Sequence, residues 1–340
     1  MNPRIALPAG AVALCILSYL FASGTFQRTF GGSSDHKTSA AGTPSGVNAA
    51  TGGSAGEAPG ASGASSEAST TAIPTVLPVQ NFSDQELQAI NNLPPQEQAE
   101  QLMMAAVNHY DGAAKMVMDR VEGWRGRVKK TDNWDTVDTA ARNSSDLRAR
   151  SAAMEVDLTI FGLEKNSASA DKLINDAPAH IGNRGFDSYM LGMLGNRGVD
   201  SSRIHATLKN WAHDADEGTR YWALEGLSLL GSDDTIPDFL EVLRNDPSMN
   251  VRQRCAASLA RAGMMTREQR MQAVPGLIEI SGDGPASAPT QGWAFQALRE
   301  ITGEPLGNDA AAWHTWFADH GNERVEQFHR ADPNIVLGDS

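Results

Sequence analysis

The chain has 340 residues, of which 41% are hydrophobic and 6% aromatic, with a formal charge of −13. That is enough for about one or two domains with a buried core. Residues 1–80 hold three basic and three acidic residues, so the whole acidic excess lies beyond them; such a surface repels polyphosphate and excludes nucleic acid as a main partner.

In chain order, Arg4 and the α-amine make a short basic start, and no charge follows from Ile5 to Gln27. As a helix that run spans about 34 Å, enough for a bilayer core of about 30 Å. It reads as a retained single-pass anchor or as a signal peptide cleaved near Ala22-Ser23-Gly24, with a plain buried helix as the third reading. Leu14 stands where a small residue is expected before a lipidated cysteine, which speaks against lipidation of Cys15. Either leading reading places the rest of the chain outside the cytoplasmic membrane. Residues 31–79 are rich in Gly, Ser, Ala and Thr and carry few apolar side chains to offset the entropy of ordering, so a disordered tether is expected. Only Cys15 and Cys255 occur. One lies in the apolar segment and the other on a helix face, so no intramolecular disulfide is expected.

Helical periodicity begins near Ser83 and breaks at Pro94-Pro95. Ala99, Leu102, Met103, Ala106, Val107 and Tyr110 then mark one helix face. Ala114, Val117, Met118, Val121, Trp124 and Val128 mark another. The basic group Arg125, Arg127, Lys129 and Lys130 suits the negative end of that helix; a patch for an acidic partner or lipid headgroup is the alternative.

From Asn133 the pattern repeats. First helices of pairs begin near 133, 169, 201, 235 and 267, and second helices occupy 146–163, 184–195, 216–231, 249–263 and 290–303. Arg220 and Arg252, Leu227 and Leu259, and Gly231 and Gly263 are each 32 residues apart. A period in the thirties with two helices per unit is a solenoid pattern, in which each pair buries its inner face on the next. Ile236, Phe239, Leu240 and Leu243 form one stripe, capped by Asp234 or Thr235, and Leu240→Ala is expected to cost about 2–5 kcal/mol. Val251, Cys255 and Leu259 form the next stripe, ended by a left-handed Gly263.

The run Asp246-Pro247-Ser248-Met249-Asn250-Val251-Arg252, with Ala256, Ala257, Leu259 and Gly263, resembles the turn and second helix of a HEAT repeat. It is especially similar to the HEAT-like repeats named after phycobilisome lyases. The resemblance covers about 133–303 and is strongest over 201–263. It implies an all-α, right-handed α-α superhelix. It also implies a polar ladder in which a turn Asp holds an Arg six residues on: Asp214 with Arg220 and Asp246 with Arg252. Ser144 and Arg150 keep the spacing with Ser in place of Asp, and Trp293 stands where the last Arg is expected. A segment from Ser281 to Gln291 separates the last two helices. Trp313 and Trp316 then resemble the closing helix of such arrays, with a sugar- or peptide-stacking site as the alternative.

The expected division is 1–28 anchor or signal, 29–80 linker, 81–132 helical cap, 133–303 repeats, 304–321 capping helix and 322–340 tail. No cofactor is expected. His314 and His320 lack a helical metal spacing, and His205 and His213 are too far apart to share an ion. Cys255 reads as core; Gly192, Gly195 and Gly198 follow a helix and not a strand, so they make no phosphate loop, and Gly192 reads as close helix packing. Some relatives of this repeat type are lyases or isomerases that attach bilins, which makes an enzyme the competing reading; a cell-wall polymer binder through Trp313 and Trp316 is a third. The leading expectation is a non-catalytic protein-binding scaffold of the cell envelope, meeting protein partners through exposed second-helix residues such as Glu225.

Overall fold

The computed structural model describes residues 80–176 and 184–331. The expected anchor, linker and last residues of the tail lie outside them. Among the described residues no helix is long and apolar enough to cross a membrane, and the only β pairing is an isolated bridge between Gln80 and Tyr110.

Three helices open the described part. Ser83 and Glu86 form a reciprocal capping box at the start of α1 (Asp84–Asn91), which satisfies two amides that the helix cannot. Pro95 takes the first position of α2 (Pro95–Val107), where its missing N–H is no loss. Gly112, at φ 68°, starts α3 (Ala113–Trp124). Val117, Val121, Trp124 and Val128 are buried as the periodicity predicts, but Met118 is 40% exposed and Ala113 is buried. The α3 stripe therefore sits slightly rotated from the expected one.

The pairs follow as α4 (Asp132–Arg142) and α5 (Leu147–Ile160), α6 (Ser167–Asp176) and α7 (Arg184–Asn196), α8 (Ser201–Trp211) and α9 (Glu217–Leu230), and α10 (Thr235–Asn245) and α11 (Met249–Ala260). The fifth pair differs from expectation. Its first helix is two pieces, α12 (Arg267–Met271) and α13 (Val274–Gly282), before α14 (Ala288–Thr302). Pro275 in the first turn of α13 explains the break, because its ring would clash with the carbonyl four residues back. The expected long separator shrinks to Asp283–Ser287, since both ends of the Ser281–Gln291 segment are helical. The closing helix α15 (Ala310–Ala331) runs on past Gly321. Phe328 is buried there, and Arg324 donates to the Thr302 carbonyl at 2.8 Å and pairs with Glu304.

Second helices pack on one another in the order α7, α9, α11, α14. The approach of α7 to α9 is close enough that a Cβ on Gly192 would lie 2.3 Å from the Gly226 carbonyl oxygen, so Gly192 serves close packing. Gly263, at φ 73°, lets the Met264 amide reach the Ser228 carbonyl at 2.9 Å, tying the end of α11 to α9. In α10, Ile236, Phe239 and Leu243 are buried with Val242. Leu240 is only half-buried, and the Asp234 side chain makes no capping bond.

The first pair does not stack as expected. Helix α5 is buried nearly all round, from Leu147 to Thr159. Ala152, Ala153 and Val156 join the apolar cluster of α1–α4, while Leu147, Met154 and Leu158 join that of the later pairs. Two apolar stripes on one helix give a helix enclosed from both sides, and α5 is the layer between two cores.

Candidate functional site

The ladder residues meet, but by different atoms from those expected. Within a unit the arginine donates to the main-chain carbonyl six residues back: Arg150 Nε to Ser144 at 2.7 Å, Arg220 Nη1 to Asp214 at 3.1 Å, and Arg252 Nε to Asp246. The side chain of that turn residue instead accepts the amide two residues on, as Ser144 does from Asp146, Asp214 from Asp216 and Asp246 from Ser248. A serine does both jobs as well as an aspartate, which is why Ser144 stands in the first rung. The carboxylates are held by the preceding unit. Arg184 reaches Asp214 at 2.6 Å, and Arg220 reaches Asp246 with two prongs at 2.7 and 3.1 Å. Arg252 continues to the Thr290 hydroxyl at 3.3 Å. The Asp216 amide, against desolvation and with help from Arg184, holds the Asp214 carboxyl below its ordinary value.

The last rung is one that spacing alone does not reveal. Buried Thr290, Ala294, Ala297 and Leu298 match buried Val251, Cys255, Ser258 and Leu259, which places Gln291, not Trp293, opposite Arg252. Gln291 Nε2 donates to the Asp283 carbonyl at 2.7 Å, the same bond by a neutral donor. The longer turn hides it from a six-residue template.

A second polar system runs where α4 and α5 meet the second helices. Asp157 accepts from Trp134 Nε1 at 3.0 Å and from Arg142 Nη2 at 2.5 Å. Arg142 also pairs with Asp138 at 3.0 Å, lies 5.2 Å over the Tyr189 ring and touches the Met193 sulfur at 3.6 Å. Desolvation, then the like charge of Asp138, pushes the Asp157 carboxyl up to about 7. From just past the end of α7, Arg197 reaches the Ser151 hydroxyl at 2.6 Å and Glu155 at 3.7 Å. From α5, Arg150 donates to the carbonyls of Arg261, at 3.0 Å, and Gly263. Arg270 donates to those of Ser258, Leu259 and Ala262 at 2.6 to 2.8 Å. Two guanidiniums thus cap the negative end of α11. Burial, then the neighbouring charge, lowers Arg150 to about 10 and Arg270 to about 9, and both stay charged at neutral pH.

Glu225 is not an exposed contact residue. Its carboxylate is 16% exposed and bonds Arg254 at 2.6 Å, and burial raises its pKa against the pull of Arg254 and Arg142. The exposed part of the same face lies further along: Arg254 to Glu225 joins α11 to α9, Arg261 to Glu300 joins α11 to α14 at 3.5 Å, and around these bridges Gln253, Arg261, Gln296 and Glu300 face solvent.

At the end cap Trp313 is fully buried, its Nε1 donating to the Gly307 carbonyl at 2.9 Å. Trp316 meets it edge-on at 5.9 Å and is half-buried, so a stacking ligand could touch Trp316 but not Trp313. His205 pairs with Asp238 at 2.7 Å and His213 with Glu241 at 3.5 Å, each on its own carboxylate. Among the described residues no group of three or more His, Cys, Asp or Glu side chains could hold a metal ion. Cys255 is fully buried, and burial pushes its thiol well up, away from nucleophile chemistry. In the basic group, Arg125 pairs with Glu122 at 2.9 Å and Arg127 donates to the Gly123 carbonyl at 3.5 Å, a helix-end role.

Residues 189–260 and 205–299 match the family model for HEAT repeats. No curated protein and no solved structure matches the chain.

Proposed function

We propose that the chain is a non-catalytic protein-binding scaffold, and that its partner meets the second-helix face around Gln253 and Gln296. What supports this is the set of HEAT repeats whose second helices are locked side by side by ion pairs while uncharged polar side chains between the pairs face solvent. A rigid row of this kind offers an extended surface without a pocket. The uncharged run Ile5–Gln27 supports placing that scaffold outside the cytoplasmic membrane, tethered by the run or released after cleavage.

A photo-crosslinking amino acid at Gln253 or Gln296, in the native host, tests the surface. A discrete, recurring protein adduct at these positions and none at Glu241, on the exposed side of α10, is expected. Adducts only at Glu241, or at none of the three, would end this reading. A reporter fused after residue 80 tests the address: activity on the cytosolic side rules out export.

A further inference from the structure

Helix α5 covers part of the very row assigned above to binding. Arg150 at its start caps the end of α11. Next to it Ser151, and one turn on Glu155, meet Arg197 just past the end of α7. Beside it, Arg142 of α4 lies on Tyr189 and Met193. The segment therefore crosses α7 and α11 near their C-terminal ends, and Met193 is fully buried beneath it.

Three features set this contact apart from the packing between successive pairs. Helices α1–α5 have an apolar cluster of their own, including Leu102, Val117, Trp134 and Val156. Across the contact the bonds are mostly from guanidinium groups to hydroxyl, carbonyl or carboxylate oxygens. Two buried guanidinium nitrogens here, Arg142 Nη1 and Arg197 Nε, find no acceptor among the described residues, which leaves the closed contact short of its best hydrogen bonding. The connection onward to α6 passes through Gly162, at φ 66°, with Phe161 before it edge-on to Phe186 at 5.0 Å and Leu163 after it buried among the later pairs, contacts that opening has to give up. Against opening stand Leu147, Met154 and Leu158, which α5 buries among the later pairs; they make the closed state the major one and the open state a minor population.

We propose that α1–α5 form a lid that lifts as one body from the second-helix row, exposing Met193, Tyr189 and the end of α11 as a further part of the binding surface. This rests on the reading of that row as the partner surface. A partner helix that replaces α5 would carry apolar residues on one stripe and a carboxylate toward Arg197, where Glu155 stands in the closed state.

Thiol labelling of the full chain under native conditions tests it. In a Cys15→Ala background, Cys255 is the internal reference, since it sits in the α10–α11 core away from the lid. Met193→Cys places a thiol under the lid, and Ser151→Cys, nearly isosteric, places one on the lid's inner side. Both are expected to label at least about tenfold faster than Cys255, as sub-global opening demands. Arg197→Met should speed both further and leave Cys255 unchanged. Equal rates at all three thiols, or equal acceleration of all three, would show one cooperative unit and overturn the lid. If the Arg197→Met variant does not fold, the rates in the parent background decide. Equal labelling would leave the exposed face around Gln253 intact as a partner surface, whereas a failed crosslink at Gln253 would leave the lid standing, so the two readings fail separately.

Discussion

Arg220 and Asp246 hold consecutive helix pairs together with two parallel bonds, Nε to Oδ2 at 2.7 Å and Nη2 to Oδ1 at 3.1 Å. Both side chains are under a tenth exposed. Removing one partner of a buried ion pair strands the other, so Asp246→Ala should destabilise by about 3–5 kcal/mol. Asp214, 28% exposed, holds Arg184 in a wetter place, and Asp214→Ala should cost only about 1 kcal/mol. Urea unfolding of the two variants compares them directly; equal losses would mean that burial does not set the strength of the rungs.

Leu243 is fully buried and Leu240, one position past Phe239, is only half-buried. Leu243→Ala should therefore cost about 2–5 kcal/mol and Leu240→Ala about 2 kcal/mol or less. The expectation of a large loss at Leu240 came from the stripe alone; in the fold that side chain lies over Gly276 at the edge of the core. Denaturation midpoints that rank Leu240 above Leu243 would contradict this placement.

Two glycines inside helices should respond in opposite ways to alanine. Ala is a better helix former by about 1 kcal/mol. At Gly123, with nothing within 4 Å of a Cβ, that gain stands and Gly123→Ala should stabilise by about 0.5–1 kcal/mol. At Gly192 the Cβ would press on backbone of α9 at 2.3 Å, which cannot step aside as a side-chain end can. Overpacking of about 1–3 kcal/mol then wins, and Gly192→Ala should lower the melting temperature.

Asp157 ties stability to pH. Its folded carboxyl is pushed up to about 7 by burial and by Asp138, against about 4 in the unfolded chain. The folded state then binds the proton more tightly, so this group's contribution falls as pH rises from about 4 to about 7. Below about 4 both states are protonated and the contribution is at its fullest. In Asp157→Asn the side chain stays neutral, so the stability of the parent relative to this variant should decline across that window. Parallel curves for parent and variant would remove Asp157 as the cause.

Much of the helix plan was legible in the residues because it is local. The helix start near Ser83, the break at Pro94-Pro95 and the thirty-odd-residue rhythm from Asn133 each depend on neighbours within one or two turns. The arginine spacing was legible for the same reason, since Arg220 and Arg252 bond carbonyls of their own turns. The Asp246 carboxylate that Arg220 holds and the Thr290 hydroxyl that Arg252 reaches were not, because each comes from a different pair. Gln291 escaped notice because a longer turn shifts it out of the six-residue frame.

The part that α5 plays was decided by tertiary structure alone. Its sequence is small or apolar at so many positions that no single stripe stands out, and the hairpin reading made it one more stacked helix. Only packing showed Ala152, Ala153 and Val156 facing one core while Leu147, Met154 and Leu158 face another, and only packing turned Glu225 from a surface residue into a half-buried partner of Arg254. Periodicity records that a side of a helix is covered; it carries no record of what covers it. Helix boundaries follow from forces acting over a few residues and could be read in order along the chain. The burial of α5 depends on groups more than a hundred positions apart, as Arg150 and Gly263 are, and those meet only once the chain has folded.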